Sequence, residues 1–223
     1  NGISKLENGA FTNLVFTKSF TNNSCWDITQ DTKGSMWFAS YGGGVFKFDG
    51  ENFKIFSKKN GLPVNRCRKL LGYKDKVFVG TELGVAIIDI HTNRLSVPKE
   101  ILPHFGVFMV SDFFVYNNEV YFSAINEGLF KITYKNNIPV IEPVFKFQFA
   151  YSLGYYNNTI FSGNKGFIDR LKIQDLISGK TASKSFGKSV VWDFAKDKNN
   201  TLYGAAWGIF DLSGGLYRIT DNE

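Results

Sequence analysis

Apolar and polar positions along the chain alternate in short runs, and each run ends in a cluster of turn-forming residues. Segments such as "SMWFAS" (35–40), "KVFVGT" (76–81) and "EVYFSA" (119–124) are typical of partly buried strands. The turns before them are rich in Asn, Asp, Lys and Gly, as tight hairpins require. No segment has a sustained helical period with caps, so the pattern predicts an all-β chain.

The strands recur as a repeat of four per unit. A glycine followed by an apolar strand returns about every 43 residues, at Gly2, Gly44, Gly84, Gly128, Gly166 and Gly215. We expect a positive φ at this glycine, because the chain must turn sharply into the strand. The segments 25–40 and 191–206 match without a gap, 166 positions apart, which corresponds to four units. Four strands in such a unit predict a β-propeller blade.

The chain is therefore predicted to be an all-β β-propeller of about five four-stranded blades. It forms a single repeat domain over 1–223, either as a small ring or as a segment of a larger propeller. The predicted blade units are 1–20 (partial), 24–58, 66–99, 111–147, 149–187 and 189–220 (partial). By this count the first and last units are incomplete, and four complete blades lie between them.

Specific residues within the first complete unit follow a known order. They are Asp31 at a strand end, Lys33-Gly34, Trp37, Gly43-Gly44, Asp49-Gly50, Phe53 and "GLP" at 61–63 followed by Asn65. This order resembles the two-component regulator propeller repeat, strongly over 24–96 and more weakly over 113–220. The resemblance implies the extracytoplasmic sensor region of a bacterial hybrid two-component histidine kinase, with the kinase and membrane segments outside this chain.

The charge pattern argues against a nucleic-acid interface. The net charge is +6, but only five of the 26 basic residues are arginines, and lysines are scattered. Scattered lysine is typical of a solvated surface. The apolar stretch 101–110 is too short to span a bilayer and contains Pro103 and His104, so we expect no membrane contact by this segment. Cys25 and Cys67 occupy equivalent blade positions, which predicts two unpaired thiols.

No catalytic arrangement is recognisable. His91 and His104 have no Ser, Cys or Asp at a spacing that suggests a partner, and the glycine runs lack phosphate-loop patterns. We therefore predict a protein that is not an enzyme and that uses no metal and no cofactor. Four aspartates that recur at blade positions are expected to cap turns or strand ends. They are Asp27, Asp31, Asp193 and Asp197.

The predicted function is a non-catalytic sensor module that recognises a small ligand such as an oligosaccharide, in the periplasm, as part of a membrane-anchored protein. The alternative is a protein-interaction scaffold at the bacterial cell surface with no small-molecule ligand. A protein partner or a homodimer is compatible with both. The ligand itself is not specified by the sequence.

The candidate site lies on the propeller face that carries the blade connections and the loops between second and third strands. Its residues are Tyr41, Glu82, Asn126, Lys165, Trp207 and Phe210. They combine aromatic rings with an amide and opposite charges, as sugar or peptide recognition requires. The last unit has an insertion, 207–214, where the first complete unit has "YGG". The alternative interpretation is that these residues are ordinary loop tips and that the inserted aromatics fold back over the adjacent blade.

Overall fold

The computed structural model describes residues 3–14, 24–98, 108–145, 151–157, 159–163, 168–172, 183–186, 190–207 and 214–219. The chain forms two compact units, Asn1–Val110 and Ser111–Glu223, which are considered separately. Regular structure in the described residues is β-strand, apart from one 3₁₀ turn at Lys58–Asn60. Within these ranges the structure has no helix with the length and hydrophobicity needed to cross a membrane.

The first unit contains three antiparallel sheets. Its strands are β1 (Ile3–Glu7), β2 (Ala10–Leu14), β3 (Cys25–Gln30), β4 (Met36–Ser40), β5 (Gly44–Phe48), β6 (Phe53–Phe56), β7 (Cys67–Tyr73), β8 (Lys76–Thr81), β9 (Gly84–Asp89) and β10 (Leu95–Ser96). Strands β1 and β2 form a hairpin, β3–β6 form one four-stranded sheet and β7–β10 form the next.

The second unit follows the same plan. Its strands are β11 (Val110–Tyr116), β12 (Glu119–Ala124), β13 (Gly128–Lys135), β14 (Ile138–Phe145), β15 (Ser152–Tyr156), β16 (Thr159–Gly163), β17 (Ile168–Lys172), β18 (Ser183–Phe186), β19 (Val190–Lys196), β20 (Leu202–Trp207) and β21 (Gly215–Ile219). They form the sheets β11–β14, β15–β18 and β19–β21.

Each sheet is a meander in which every strand pairs with the next one along the chain. The described residues contain four four-stranded sheets, with a two-stranded sheet before them and a three-stranded sheet after them. The all-β prediction and the four-stranded blades are therefore confirmed.

The repeat glycine has the predicted positive φ at three positions, whereas at Gly215, the first residue of β21, the prediction is wrong. Gly44, Gly84 and Gly128 have φ values of 88°, 94° and 117°. A Cβ atom at Gly44 would lie 2.1 Å from the carbonyl oxygen of Phe56. The neighbouring strand β6 therefore approaches too closely for any side chain at Gly44.

Aspartates organise the turns between strands. In the turns that Asp49, Asp89 and Asp197 begin, the carboxylate accepts hydrogen bonds from backbone N–H groups two to four residues ahead. We call these three residues the turn aspartates. The backbone N–H donors lower the pKa of each carboxyl below its ordinary value of 3.8, because they stabilise its charged form.

Asp31 combines this turn role with a buried bond to the core. Its Oδ1 accepts from the N–H groups of Lys33 and Ser35, both at 2.9 Å, and its Oδ2 accepts from Trp37 Nε1 at 2.8 Å. Lys47 Nζ lies 4.0 Å from the same carboxylate and 5.1 Å from the centre of the Trp37 ring. The predicted capping role of Asp31 is confirmed.

A second set of aspartates joins consecutive sheets. Asp27 Oδ2 accepts from Leu70 N at 2.8 Å, and Asp112 Oδ2 accepts from Leu153 N at 2.7 Å. Both therefore bond the backbone of the first strand of the following sheet. The other carboxylate oxygen accepts from the next residue in each case, and Asp193 does the same. This shared geometry shows that the three aspartates are equivalent positions of the repeat.

The cores lie between successive sheets. In β4, Trp37 and Ala39 pack with Cys67, Val77 and other residues of β7–β9, whereas Phe38 packs with Ile3 of the hairpin. The second unit repeats this arrangement with one cluster from Phe114 to Ile160 and another from Phe161 to Ile219. Both faces of a middle sheet are thus covered, which explains why its second strand is buried after the first residue.

Candidate functional site

In the first unit, the blade connection and the loops after the second strands lie together. The carbonyl oxygen of Asn65 accepts from the N–H groups of Gly42 and Gly44, and Arg66 O accepts from Glu82 N. Tyr41 and Arg66 also form an antiparallel bridge. Two of the predicted site residues, Tyr41 and Glu82, are therefore held on one rim of this unit.

These backbone bonds bring five side chains together, Trp26, Tyr41, Arg66, Arg68 and Glu82. We call this group the rim cluster. Its centre is the Glu82 carboxylate, whose side chain is 9% exposed. Arg66 Nε and the Tyr41 hydroxyl donate hydrogen bonds to it. Arg68 Nη1 lies 3.8 Å from its other oxygen. The carboxylate thus fixes three side chains from two different segments, Tyr41 after β4 and the arginine pair at the start of β7.

Aromatic stacking completes the rim cluster. The rings of Trp26 and Tyr41 are 5.0 Å apart and nearly parallel, at 21°. The Arg68 guanidinium lies 4.5 Å from the centre of the Trp26 ring, within the range of a cation–π contact. Trp26 remains 46% exposed and Tyr41 39% exposed. Two exposed rings in contact form a small continuous apolar patch, and contiguous patches are the kind that can serve as contact surfaces.

The electrostatics of the rim cluster follow from the shared carboxylate. The hydrogen bond to Glu82 raises the pKa of Tyr41, because the neutral hydroxyl is the donor. The same carboxylate raises the pKa of Arg66, whereas burial lowers the pKa of Arg68. Both arginines remain charged at neutral pH.

In the second unit, aromatic residues also occupy the repeat position that Trp26 has in the first unit. By strand register, Arg68, Tyr151 and Trp192 are equivalent to Trp26 on other inner strands. Arg68 contacts Trp26 in the preceding sheet, and Trp192 likewise contacts Tyr151, with ring centres 5.3 Å apart. Trp192 is 40% exposed.

An open depression of about 510 Å³ adjoins the rim cluster. It is lined by Ile3 and Ser4 of the hairpin and by residues 25–28 of β3, including Trp26. Trp26 therefore belongs to the rim cluster and also lines the depression. The depression is large enough for a small ligand.

The remaining predicted site residues are not joined to the rim cluster by the contacts described. Asn126 is exposed in the turn between β12 and β13, with φ of 66°. Trp207 is the last residue of β20, paired with Val190, rather than part of a loop. Lys165 and Phe210 lie outside the described residues. The complete predicted rim therefore stays a prediction.

Sequence reasoning missed Trp26, Arg66 and Arg68. A signal was present, because two of the five arginines occur within three residues, in "RCR". Trp26 was assigned only to a strand, and nothing local shows that its ring is exposed.

The cysteines and His91 are not arranged for chemistry. Cys25 and Cys67 are free thiols, as predicted. Burial raises their pKa to about 11 and about 12, which disfavours the reactive thiolate. His91 Nε2 lies 3.0 Å from Asp75 Oδ1, in an exposed pair. Among the described residues, no group of three or more His, Cys, Asp or Glu side chains is placed to hold a metal ion.

Known structures share this architecture. The chain is similar to the extracellular domain of a putative hybrid two-component system from B. thetaiotaomicron, with a TM-score of 0.69 and 19% identity over 90% of this chain and 29% of that one. It is similar to PorZ, a surface component of the type-IX secretion system of Porphyromonas gingivalis, with a TM-score of 0.60 and 13% identity over 96% of this chain and 30% of that one.

An enzyme has a comparable fold. A catalytically inactive virginiamycin B lyase from Staphylococcus aureus, solved with quinupristin, gives a TM-score of 0.64 and 14% identity over 92% of this chain and 72% of that one. No protein-family model and no curated protein sequence matches the chain. The chain spans less than a third of the two-component and PorZ structures. At these identities the similarities establish the fold, an all-β propeller built from four-stranded sheets.

Proposed function

We propose that this chain is a non-catalytic, extracytoplasmic recognition module of a bacterial two-component signalling protein and that it belongs to the two-component regulator propeller family. Its ligand is a small molecule of the oligosaccharide class. The observation that carries the proposal is the rim cluster, in which exposed aromatic rings and fixed polar groups share one surface. Similarity to extracellular domains of putative two-component systems supports the sensor role.

The rim cluster has the physical properties of a saccharide site. Sugars present apolar C–H faces beside hydroxyl groups, so a site needs flat rings together with oriented donors and acceptors. Trp26 and Tyr41 supply the rings, and Arg66 supplies exposed donors. The depression beside Trp26 supplies room for a second sugar. Because Glu82 fixes three of these side chains, little conformational entropy remains to be lost on binding.

The similarity to a lyase does not change the proposal, because one fold serves many functions. We propose no catalytic role for the chain. His91 pairs with Asp75 at an exposed turn of the first unit, at the other end of strand β9 from Glu82. His104 lies outside the described residues.

A binding screen with matched tryptophan variants tests the proposal. The whole chain is applied to a glycan array, and hits are measured by isothermal titration calorimetry. Trp26→Ala is expected to weaken binding about fivefold or more, since stacked rings contribute about 1 kcal/mol or more each. Trp192→Ala is the control, because it removes an equally exposed tryptophan at the equivalent repeat position. Both variants should keep the melting temperature of the wild type. Equal loss of binding in both variants, or an empty screen, would contradict the proposal.

The second candidate is a protein-interaction scaffold, and the hairpin β1–β2 favours it. Leu6 and Phe11 are 60% and 75% exposed there. Large exposed apolar side chains on neighbouring strands are typical of contact surfaces. If a double variant, Leu6→Ser with Phe11→Ser, abolishes capture of a protein partner while the glycan screen is empty, the scaffold is the better description.

A further inference from the structure

The rim cluster has an excess of positive charge. Two guanidinium groups, those of Arg66 and Arg68, share the single carboxylate of Glu82. The three side chains together therefore carry one net positive charge.

The exposed part of this charge belongs to Arg66. Its side chain is 48% exposed, whereas those of Arg68 and Glu82 are 16% and 9% exposed. Arg66 uses Nε to bond Glu82. Its two Nη groups have no hydrogen-bond partner among the residues that the structure describes. A molecule that approaches the rim cluster from solvent therefore meets the Nη donors and not the carboxylate.

Arg66 is also held in place before any ligand arrives. Its carbonyl oxygen accepts from Glu82 N, and its neighbour Asn65 accepts from Gly42 and Gly44. The Glu82 carboxylate accepts the hydrogen bond from Arg66 Nε and thereby fixes the orientation of the guanidinium group. A fixed guanidinium loses less entropy when it binds than a mobile lysine does.

We propose that the ligand carries an anionic group, a carboxylate or a sulfate ester, which binds to the Nη donors of Arg66 beside the ring of Tyr41. The ligand class is thus an acidic saccharide rather than a neutral one. Planar guanidinium groups bind such oxyanions through two parallel N–H···O bonds, which are stronger than neutral hydrogen bonds. This inference rests on the recognition site proposed above.

Matched saccharide probes test this inference. One pair is a uronic acid trisaccharide and its methyl ester, which have the same sugar skeleton and differ in the charge of the carboxyl groups. The other pair is a chondroitin oligosaccharide with and without sulfate, with its uronates esterified in both. Titration calorimetry on the whole chain should show that one acidic member binds about tenfold or more tighter than its neutral partner. The pair that shows the preference distinguishes carboxylate from sulfate.

Variants at Arg66 assign the preference to this side chain. Arg66→Gln is expected to reduce acidic binding to the level of the neutral partner. The double variant Arg66→Gln with Glu82→Gln guards against misfolding, because it leaves no unpaired carboxylate in the rim cluster. Arg94→Gln is the charge-matched control. It removes an exposed arginine at the opposite end of β9 from Glu82 and should keep the preference.

The outcomes separate this inference from the proposed function. Loss of the preference in both Arg66 variants, with retention in Arg94→Gln, supports the acidic ligand. Equal binding of neutral and acidic probes, or a preference that survives both Arg66 variants, overturns it while the saccharide site stands. Failure of every saccharide to bind the wild type overturns the proposed function, and the acidic ligand with it.

Discussion

Replacing Asp31 by alanine should destabilise the first unit more than any other single change in a turn. The carboxylate of Asp31 accepts three hydrogen bonds, and its side chain is fully buried. Two of the donors, Ser35 N and Trp37 Nε1, belong to buried residues, so water cannot easily replace the carboxylate. Lys33 N lies at an exposed turn and can bond water instead.

The expected cost follows from these two buried donors. A buried donor left without an acceptor costs about 1–3 kcal/mol, so the variant should lose about 4 kcal/mol of unfolding free energy. Asp197→Ala is the matched control, since Asp197 makes the same turn with half-buried or exposed donors. Its loss should be clearly smaller, because water can replace the carboxylate at donors that are not buried. Trp37→Phe removes the Nε1 donor and keeps the Asp31 acceptor, and this variant should lose about 2 kcal/mol of unfolding free energy.

Equilibrium urea unfolding followed by circular dichroism measures these differences. The midpoint and the slope give the free energy for each variant, and an unchanged slope shows that the same surface is exposed on unfolding. The reasoning is refuted if Asp31→Ala loses no more free energy than Asp197→Ala. It is also refuted if Asp31→Ala is milder than Trp37→Phe.

Three further predictions concern backbone, thiols and pH. Gly44→Ala should lower the unfolding free energy by about 3 kcal/mol or more in thermal unfolding, because its Cβ would overlap Phe56 O. Gly50→Ala, which is also at positive φ but has open space around it, should lower it by about 1 kcal/mol. Equal losses would contradict the role assigned to the strand contact. Neither thiol should react quickly with iodoacetamide at pH 8 in the folded protein, and Cys25 should react before Cys67; the reverse order would be inconsistent with their burial. The turn aspartates have folded-state pKa values below the ordinary 3.8. Their contribution to stability is therefore present above that ordinary pKa and should be lost as pH falls through the lowered folded-state pKa. Asparagine at all three should flatten the acid limb of the stability curve, and an unchanged limb would refute the assignment.

Local rules explain why the architecture could be predicted from the sequence. The repeat glycine needs positive φ where a close turn leads into the third strand, as at Gly44, and an aspartate that ends a first strand needs backbone donors a few residues ahead, as at Asp31 and Asp197. Both requirements involve residues that are close together in the sequence, so they can be recognised from the spacing of the repeat. Gly44 and Asp31 accordingly have the predicted roles.

The rim cluster could be predicted only in part, because it depends on register between sheets. Tyr41 and Glu82 were identified from their loop positions. Trp26, Arg66 and Arg68 join them through contacts across 14 to 42 positions of the chain, which no local pattern reveals. The bond from Asp27 to Leu70 has the same character, since it connects two sheets 43 positions apart. Side-chain convergence of this kind follows from packing and not from periodicity.

The end of β20 shows a different limit of what can be predicted from the sequence. The excess residues before Gly215 were assigned to a loop that begins at Trp207, but Trp207 continues the strand opposite Val190. A repeat alignment counts extra residues without showing how many of them extend the strand. A double variant, Trp207→Ala with Phe210→Ala, tests whether the inserted segment contributes to recognition. Unchanged ligand binding by this variant would exclude it from the site.

Chemical-shift mapping tests the recognition site most directly. The isotope-labelled whole chain is titrated with the tightest saccharide from the screen, and amide and indole signals are followed. The largest shifts should come from Trp26, Tyr41, Arg66 and Glu82, with the Trp26 indole among them, while the Trp192 indole stays unchanged. Shifts that concentrate around Trp192 or elsewhere, with the rim cluster unaffected, would contradict the assignment of recognition to this rim.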